Sequence, residues 1–241
     1  MLSIQNLTFE YSSNKEARSN VFKMNFHLDI FQGEILSIIG PSGSGKSTLL
    51  NLIAGFNTPT SGKILLNDTD ISKQSIPDRS VTTVFQDHNL FPHLDVFTNV
   101  AIGLKPSLKL SSTEKDKVED ALRSVGLSDY MRRKPAQLSG GQRQRVALSR
   151  ALVRNHQVLL LDEPLAALGP AMREEIIDLL KDIILKKNIV ALLVSHQPTD
   201  ALRASKRTAF INDGKVLDIA DTDILLKHSE YSEIRNYLGL L

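Results

Sequence analysis

Ile35-Leu36-Ser37-Ile38-Ile39-Gly40-Pro41-Ser42-Gly43-Ser44-Gly45-Lys46-Ser47-Thr48-Leu49-Leu50-Asn51-Leu52-Ile53-Ala54 is the stretch on which the fold turns. Its opening is a nearly continuous apolar run, the composition of a strand buried on both faces of a parallel sheet. Its close, from Thr48 to Ala54, reads as an apolar helix. The segment between fits G-x-x-x-x-G-K-[ST]. Glycines there let backbone N–H groups turn inward, and the helix N-terminus adds a positive dipole end, so the loop is built to cradle phosphates. Lys46 would reach the β- and γ-phosphates, and the Ser47 hydroxyl would ligate Mg²⁺.

Working outward, similar apolar runs recur at Val158-Leu159-Leu160-Leu161 and over 189–194. Helical patterns lie between them. Ile176, Ile177, Leu180, Ile183 and Ile184 follow helical spacing after Pro170, a good first-turn residue. Alternating strand and helix implies an α/β core with right-handed crossovers. Upstream, Phe22, Met24, Phe26, Leu28 and Ile30 alternate with polar residues, the period of a half-buried strand. Leu2, Ile4, Leu7 and Phe9 form a weaker version, and an antiparallel pairing of the two is expected. Residues 88–155 differ: they read as an inserted helical subdomain. Ser111-Ser112-Thr113-Glu114 is a capping box, Val118, Ala121, Leu122 and Val125 follow on one face, and Gly126 is a helix stop. Near the C-terminus, Asn212-Asp213-Gly214 between two short apolar runs signals a hairpin.

Composition narrows the classes. The 241 residues carry 29 Lys and Arg against 27 Asp and Glu, a net charge of +2, which gives no electrostatic argument for nucleic acid. Cysteine is absent, so disulfide scaffolds, Fe–S clusters and thiolate zinc sites are excluded. No apolar stretch approaches the ~20 residues of a membrane span. The N-terminal Met-Leu-Ser-Ile-Gln-Asn-Leu lacks a basic segment followed by an apolar one, so a cytoplasmic location is expected.

Two further segments carry chemistry. The apolar run from Val158 ends in Asp162 and Glu163, at the strand edge where α/β sheets place ligands. Asp162 suits a Mg²⁺ shell, and Glu163 could polarise an attacking water. Leu138-Ser139-Gly140-Gly141-Gln142 opens a helix running roughly to Arg154, with Ser139 as N-cap and the glycines exposing N–H groups at its positive end. That is a second anion site, and one nucleotide does not need two. A head-to-tail pair of chains resolves this, each nucleotide lying between the phosphate loop of one and this segment of the other. The remaining histidines, His27, His88, His93, His156 and His228, read as ordinary polar or packing residues, and Arg132-Arg133-Lys134 as a solvated face.

Together these motifs, in this order, resemble the nucleotide-binding subunits of ABC (ATP-binding cassette) transporters along essentially the whole chain. The resemblance implies one ABC ATP-binding domain over 1–241: a P-loop NTPase core with a parallel sheet, an N-terminal antiparallel β subdomain and the helical insertion at 88–155. It identifies Gly40, Pro41, Ser42, Gly43, Ser44, Gly45, Lys46, Ser47 and Thr48 as the ATP loop. Gln86 matches the glutamine that reaches Mg²⁺ and the γ-phosphate side. Leu138, Ser139, Gly140, Gly141 and Gln142 match the signature that binds ATP in trans. Asp162 matches the metal ligand, Glu163 the catalytic carboxylate and His196 the switch histidine, while Tyr11 matches the adenine-stacking aromatic, with Phe9 a nearby competitor. The implied ligands are ATP and Mg²⁺. The implied partners are a second copy, a separate permease and, indirectly, a solute-binding protein, with no nucleic acid. The implied place is the cytoplasmic face of the bacterial inner membrane, held peripherally.

One departure stands out: Ala166-Ala167-Leu168-Gly169 puts Gly169 where this family usually has an aspartate contacting the opposite subunit. No Asn-Lys-x-Asp signature of guanine nucleotides is present. The long coiled coils and cysteine-ligated zinc of DNA-repair relatives are absent too. Within the family, the segments 49–56, 85–94 and 99–110 resemble the ATPases of thiamine importers. Those ATPases lack the C-terminal regulatory domain usual in relatives that serve ferric iron, sulfate, polyamines or molybdate.

Overall fold

A computed structural model describes residues 1–11, 22–87 and 89–240. Strands β1 (Leu2–Tyr11) and β2 (Phe22–Ile30) pair antiparallel, with Leu2 opposite Ile30 and Tyr11 opposite Phe22. A register shift between Ile4 and Leu7, where Asn6 has φ 46°, explains the weak alternation. The buried apolar residues change from even positions, Leu2 and Ile4, to odd ones, Leu7 and then half-buried Phe9, because one extra residue flips the pleat.

β3 (Ile35–Ile39) feeds the glycine loop and α1 (Lys46–Ala54), which begins two residues before Thr48. β4 (Ser61–Leu66) and β5 (Thr69–Asp70) extend the antiparallel side beyond β1, and β6 (Val81–Val84) returns to the parallel side. Next come α2 (Val96–Leu104), α3 (Ser112–Ser124) and α4 (Gly140–Leu152), with no strand among the described residues from 89 to 155. The Ser111–Glu114 capping box forms, and Gly126 beyond it has φ 71°. β7 (Val158–Asp162), α5 (Pro170–Lys187), β8 (Val190–Val194), α6 (Pro198–Ala204), β9 (Arg207–Asn212), β10 (Lys215–Asp221), α7 (Thr222–His228) and α8 (Ser232–Leu238) complete the chain.

The sheet has ten strands in the order β5-β4-β1-β2-β10-β9-β3-β8-β7-β6. β9, β3, β8, β7 and β6 run parallel, which makes the core α/β as expected. Its two halves meet at the β9–β10 hairpin. Asp213 and Gly214 both have positive φ, the geometry of a two-residue hairpin turn, and Lys215 pairs parallel to Asn25 of β2. The apolar runs are continuous because each central strand feeds two cores. Leu159 and Leu161 pack with α2–α5, whereas Val158 and Leu160 pack with α1 and the N-terminal strands.

Candidate active site

The C-terminal ends of β3, β7 and β8 lie side by side, with Ile38 and Asp162 both in register with Val194. Above them opens a cleft of about 420 Å³ lined by Phe22, Met24, Ser42, Gly43, Gly45, Lys46, Ser47, Thr48, Glu163 and His196.

Sterics dictate the glycine loop. Gly40 has φ 145°, and a Cβ there would lie 2.0 Å from the Ile211 carbonyl oxygen of β9. Only glycine lets the loop leave β3 this close to its neighbour. Gly45, at φ 109°, is the N-cap of α1 and supplies no side chain, so the first N–H groups of that helix stay open to an anion. The Ser44 hydroxyl is buried with no hydrogen-bond partner among the described residues. An orphaned donor inside an N–H-lined loop fits a phosphate oxygen. Lys46 is 5% exposed, and its ammonium donates to the carbonyl oxygens of Gly40 (2.8 Å) and Pro41 (2.7 Å). Burial pushes its pKa down, opposed by the charges of Glu163 and Asp162. A cation held there gains from an anionic ligand.

Ser47 Oγ donates to Asp162 Oδ1 at 3.3 Å, which joins the two predicted metal ligands although they are 115 residues apart. Burial pushes the Asp162 carboxyl up, and the Ser47 hydrogen bond pulls it back down. A half-buried carboxylate beside a hydroxyl is a donor set suited to Mg²⁺. Glu163 takes φ 50°, a left-handed conformation that side chains seldom adopt, while its N–H donates to the Val194 carbonyl at 3.1 Å. The turn carries its Oε1 to within 2.5 Å of His196 Nε2. Behind His196, Ser195 Oγ donates to Asp200 (2.6 Å), and Arg173 of α5 pairs with the same carboxylate at 3.0 Å. Tyr237 of α8 donates to the His196 carbonyl at 3.4 Å.

Lys46, Ser47, Glu163 and His196 therefore meet at one cleft, with Asp162 bonded to it through Ser47. Gln86 is exposed in the turn after β6 and does not line the cleft. The side chain of Tyr11 lies outside the described residues. Phe22, paired with Tyr11 in the ladder, departs from the sequence expectation. Instead of joining the buried face of the strand it is 40% exposed and lines the cleft, because the buried face of β2 starts at Met24.

Leu138, Ser139, Gly140, Gly141 and Gln142 lie elsewhere. Ser139 caps α4 by accepting from the Gln142 N–H (3.2 Å), and Gln142 Oε1 accepts from the Ser139 N–H (2.9 Å). Ser139, Gly141 and Gln142 line a separate hollow of about 280 Å³ with Arg145, Met172 and Glu175. Ser195, Arg173, Asp200 and Tyr237 escaped sequence reading. Arg and Asp on helices usually mark solvated faces, and only the packing of α5, α6 and α8 brings them behind His196.

Residues 24–166 match the family model described as ABC transporter. The chain is 43% identical to a thiamine import ATP-binding protein of Photobacterium profundum, over 99% of this chain and 100% of that one. A thiamine import ATP-binding protein of Haemophilus influenzae is 46% identical over 86% of this chain and 96% of its own. Among solved structures, the dimeric post-hydrolysis state of an ATP-binding cassette bound to ADP and phosphate superposes with a TM-score of 0.77. It is 32% identical and covers 92% of this chain and 99% of that one. Among the described residues no helix is long and apolar enough to cross a membrane.

Proposed function

The chain belongs to the ABC transporter family, and on that premise we propose that it is the ATP-hydrolysing subunit of a thiamine importer, working through a separate permease. The observation that carries the solute is the 43% identity over the full length of a thiamine import ATP-binding protein, since this subunit meets ATP and permease rather than cargo. We read 1–241 as one ATP-binding domain with a helical insertion at 88–155.

In the cleft, the loop from Gly40 to Thr48 takes the phosphates, with Lys46 on the β- and γ-phosphates and the Ser44 hydroxyl on a phosphate oxygen. Tyr11 takes the adenine. Ser47 and Asp162, already hydrogen-bonded to each other, would hold Mg²⁺, which when bound would offset the charge of the phosphate oxygens. Gln86, exposed outside the cleft in this structure, would have to swing in to join them. Glu163 orients the attacking water, and His196, fixed by the groups behind it, faces the γ-phosphate. Rate comes from positioning and charge stabilisation rather than covalent chemistry.

The signature segment serves a second copy. Within one chain it lines a different hollow from the phosphate loop, and the structural relative described above is dimeric. Two chains head to tail bring Ser139, Gly140 and Gly141 of each against the nucleotide of the other. A permease holds the pair at the cytoplasmic face of the bacterial inner membrane, where an extracytoplasmic solute-binding protein delivers thiamine.

Deleting the gene in its native host should abolish uptake of labelled thiamine at nanomolar supply, and the intact gene should restore it. Unchanged thiamine uptake alongside lost uptake of ferric iron, sulfate or a polyamine would replace thiamine with that solute.

Gly169 gives a second test. It is the N-cap of α5 with φ −70° and ψ 163°, and a Cβ there meets nothing within 4 Å. An aspartate fits both space and backbone and caps the helix, adding a few tenths of a kcal/mol to stability. Gly169→Asp should therefore keep or slightly raise the melting temperature. It should also strengthen ATP-dependent dimerisation by about 1 kcal/mol, as for one partly exposed polar contact. Equal dimer dissociation constants for the two proteins would make Gly169 a neutral substitution.

A further inference from the structure

Gln144 lies in the first turns of α4, two residues beyond the signature, and no step above uses it. It is fully buried, and neither Oε1 nor Nε2 has a hydrogen-bond partner among the described residues. Two other buried hydroxyls are orphaned, but each has an outlet. Ser44 faces the phosphate loop, and Ser149 can rotate onto the carbonyl one turn back in its own helix. Gln144 leaves both a donor and an acceptor unpaired, and burying a primary amide so is unfavourable.

Helical spacing puts Gln144 on the face of Gly140 and Gly141, and side chains on a helix lean toward its N-terminus. That face is covered by the chain leading from Glu163 into α5. A Cβ on Gly140 would stand 3.7 Å from Leu168 Cδ2, and one on Gly141 would stand 2.2 Å from Met172 Sδ. Gln144, three and four residues on from these glycines, thus sits on the face of α4 that packs against the segment behind Glu163. Two carbonyls of that segment are already engaged. Arg173 donates to Leu168 O at 2.9 Å and to Ala166 O at 3.3 Å, and the same guanidinium holds Asp200 beside His196.

We infer that Gln144 is a positioning residue whose amide finds its partners only in the ATP-bound pair of chains, where it ties the first turn of α4 to segment 164–169 and so sets Ser139 relative to Glu163. The inference rests on the head-to-tail reading above. An amide unpaired before closure and paired after it favours closure, because its desolvation is relieved only there. Methionine, of similar length and apolar, removes both the unpaired groups of the free chain and the bonds of the closed one.

Gln144→Met should therefore raise the melting temperature of the nucleotide-free subunit by a few degrees. It should also lower kcat about tenfold with little change in KM for ATP. ATP-dependent dimerisation, measured in a Glu163→Gln background, should weaken by a similar factor. Gln144→Leu, differently shaped, should move all three readouts the same way. A melting temperature that falls in both variants, or a kcat that stays at the wild-type value in both, overturns the inference. If Glu163→Gln alone forms no ATP-dependent dimer, the head-to-tail reading fails. If it dimerises and Gln144→Met leaves that dimer as tight, only the role of Gln144 fails.

Discussion

Glu163→Gln should retain Mg·ATP binding while hydrolysis falls by about 10²- to 10⁴-fold, the range for a positioned acid–base group. The reason is local. The left-handed turn at Glu163 and its N–H bond to Val194 fix where the side chain points, and a glutamine keeps its length. The amide can still contact His196 but carries no negative charge to orient and polarise a water. Interactions used mainly in the transition state lower kcat when removed and leave ground-state affinity in place. An ATP-bound dimer should accumulate, visible by light scattering with ATP and absent with ADP. Turnover within a few-fold of wild type, with contaminating ATPases excluded, would remove Glu163 from this role.

Lys46→Ala should weaken ATP binding about a hundredfold or more and leave thiamine uptake unrestored in the deletion host. Hydrogen bonds to a charged partner are worth about 1.5–3 kcal/mol each, and this ammonium is the nearest cation in the loop. Stability should change little. The variant loses bonds of 2.8 and 2.7 Å to Gly40 and Pro41, but it also relieves a buried ammonium whose charged form burial disfavours. Titration with a fluorescent ATP analogue, alongside a melting curve, separates the two effects. Wild-type affinity in a folded variant would place the phosphates elsewhere.

Much of the fold was legible because its signals are short-range. The Ser111–Glu114 capping box, the Ser139 N-cap, the Asp213-Gly214 turn and the strand–loop–helix around Lys46 each depend on residues a few positions apart, and each formed. Phe22 misled because alternation gives the phase of a strand but not where its buried stretch begins. The phase flip within β1 weakened a pattern that the bulge at Asn6 later explained.

What the sequence by itself determined was the set of local conformations and the chemistry each could offer: a glycine loop open to phosphate, a carboxylate pair at a strand end, a capped glycine turn. Only the tertiary structure decided which of these meet. The strand order places β3, β8 and β7 side by side, so Ser47 reaches Asp162, and a positive φ turns Glu163 onto His196. The same packing leaves Gln86 at the surface, sets the signature against α5 instead of the cleft and strands the amide of Gln144. The physical reason is range. Backbone preference and capping act over a turn or two, whereas contacts between distant residues depend on how whole elements bury their apolar faces, which no local pattern encodes.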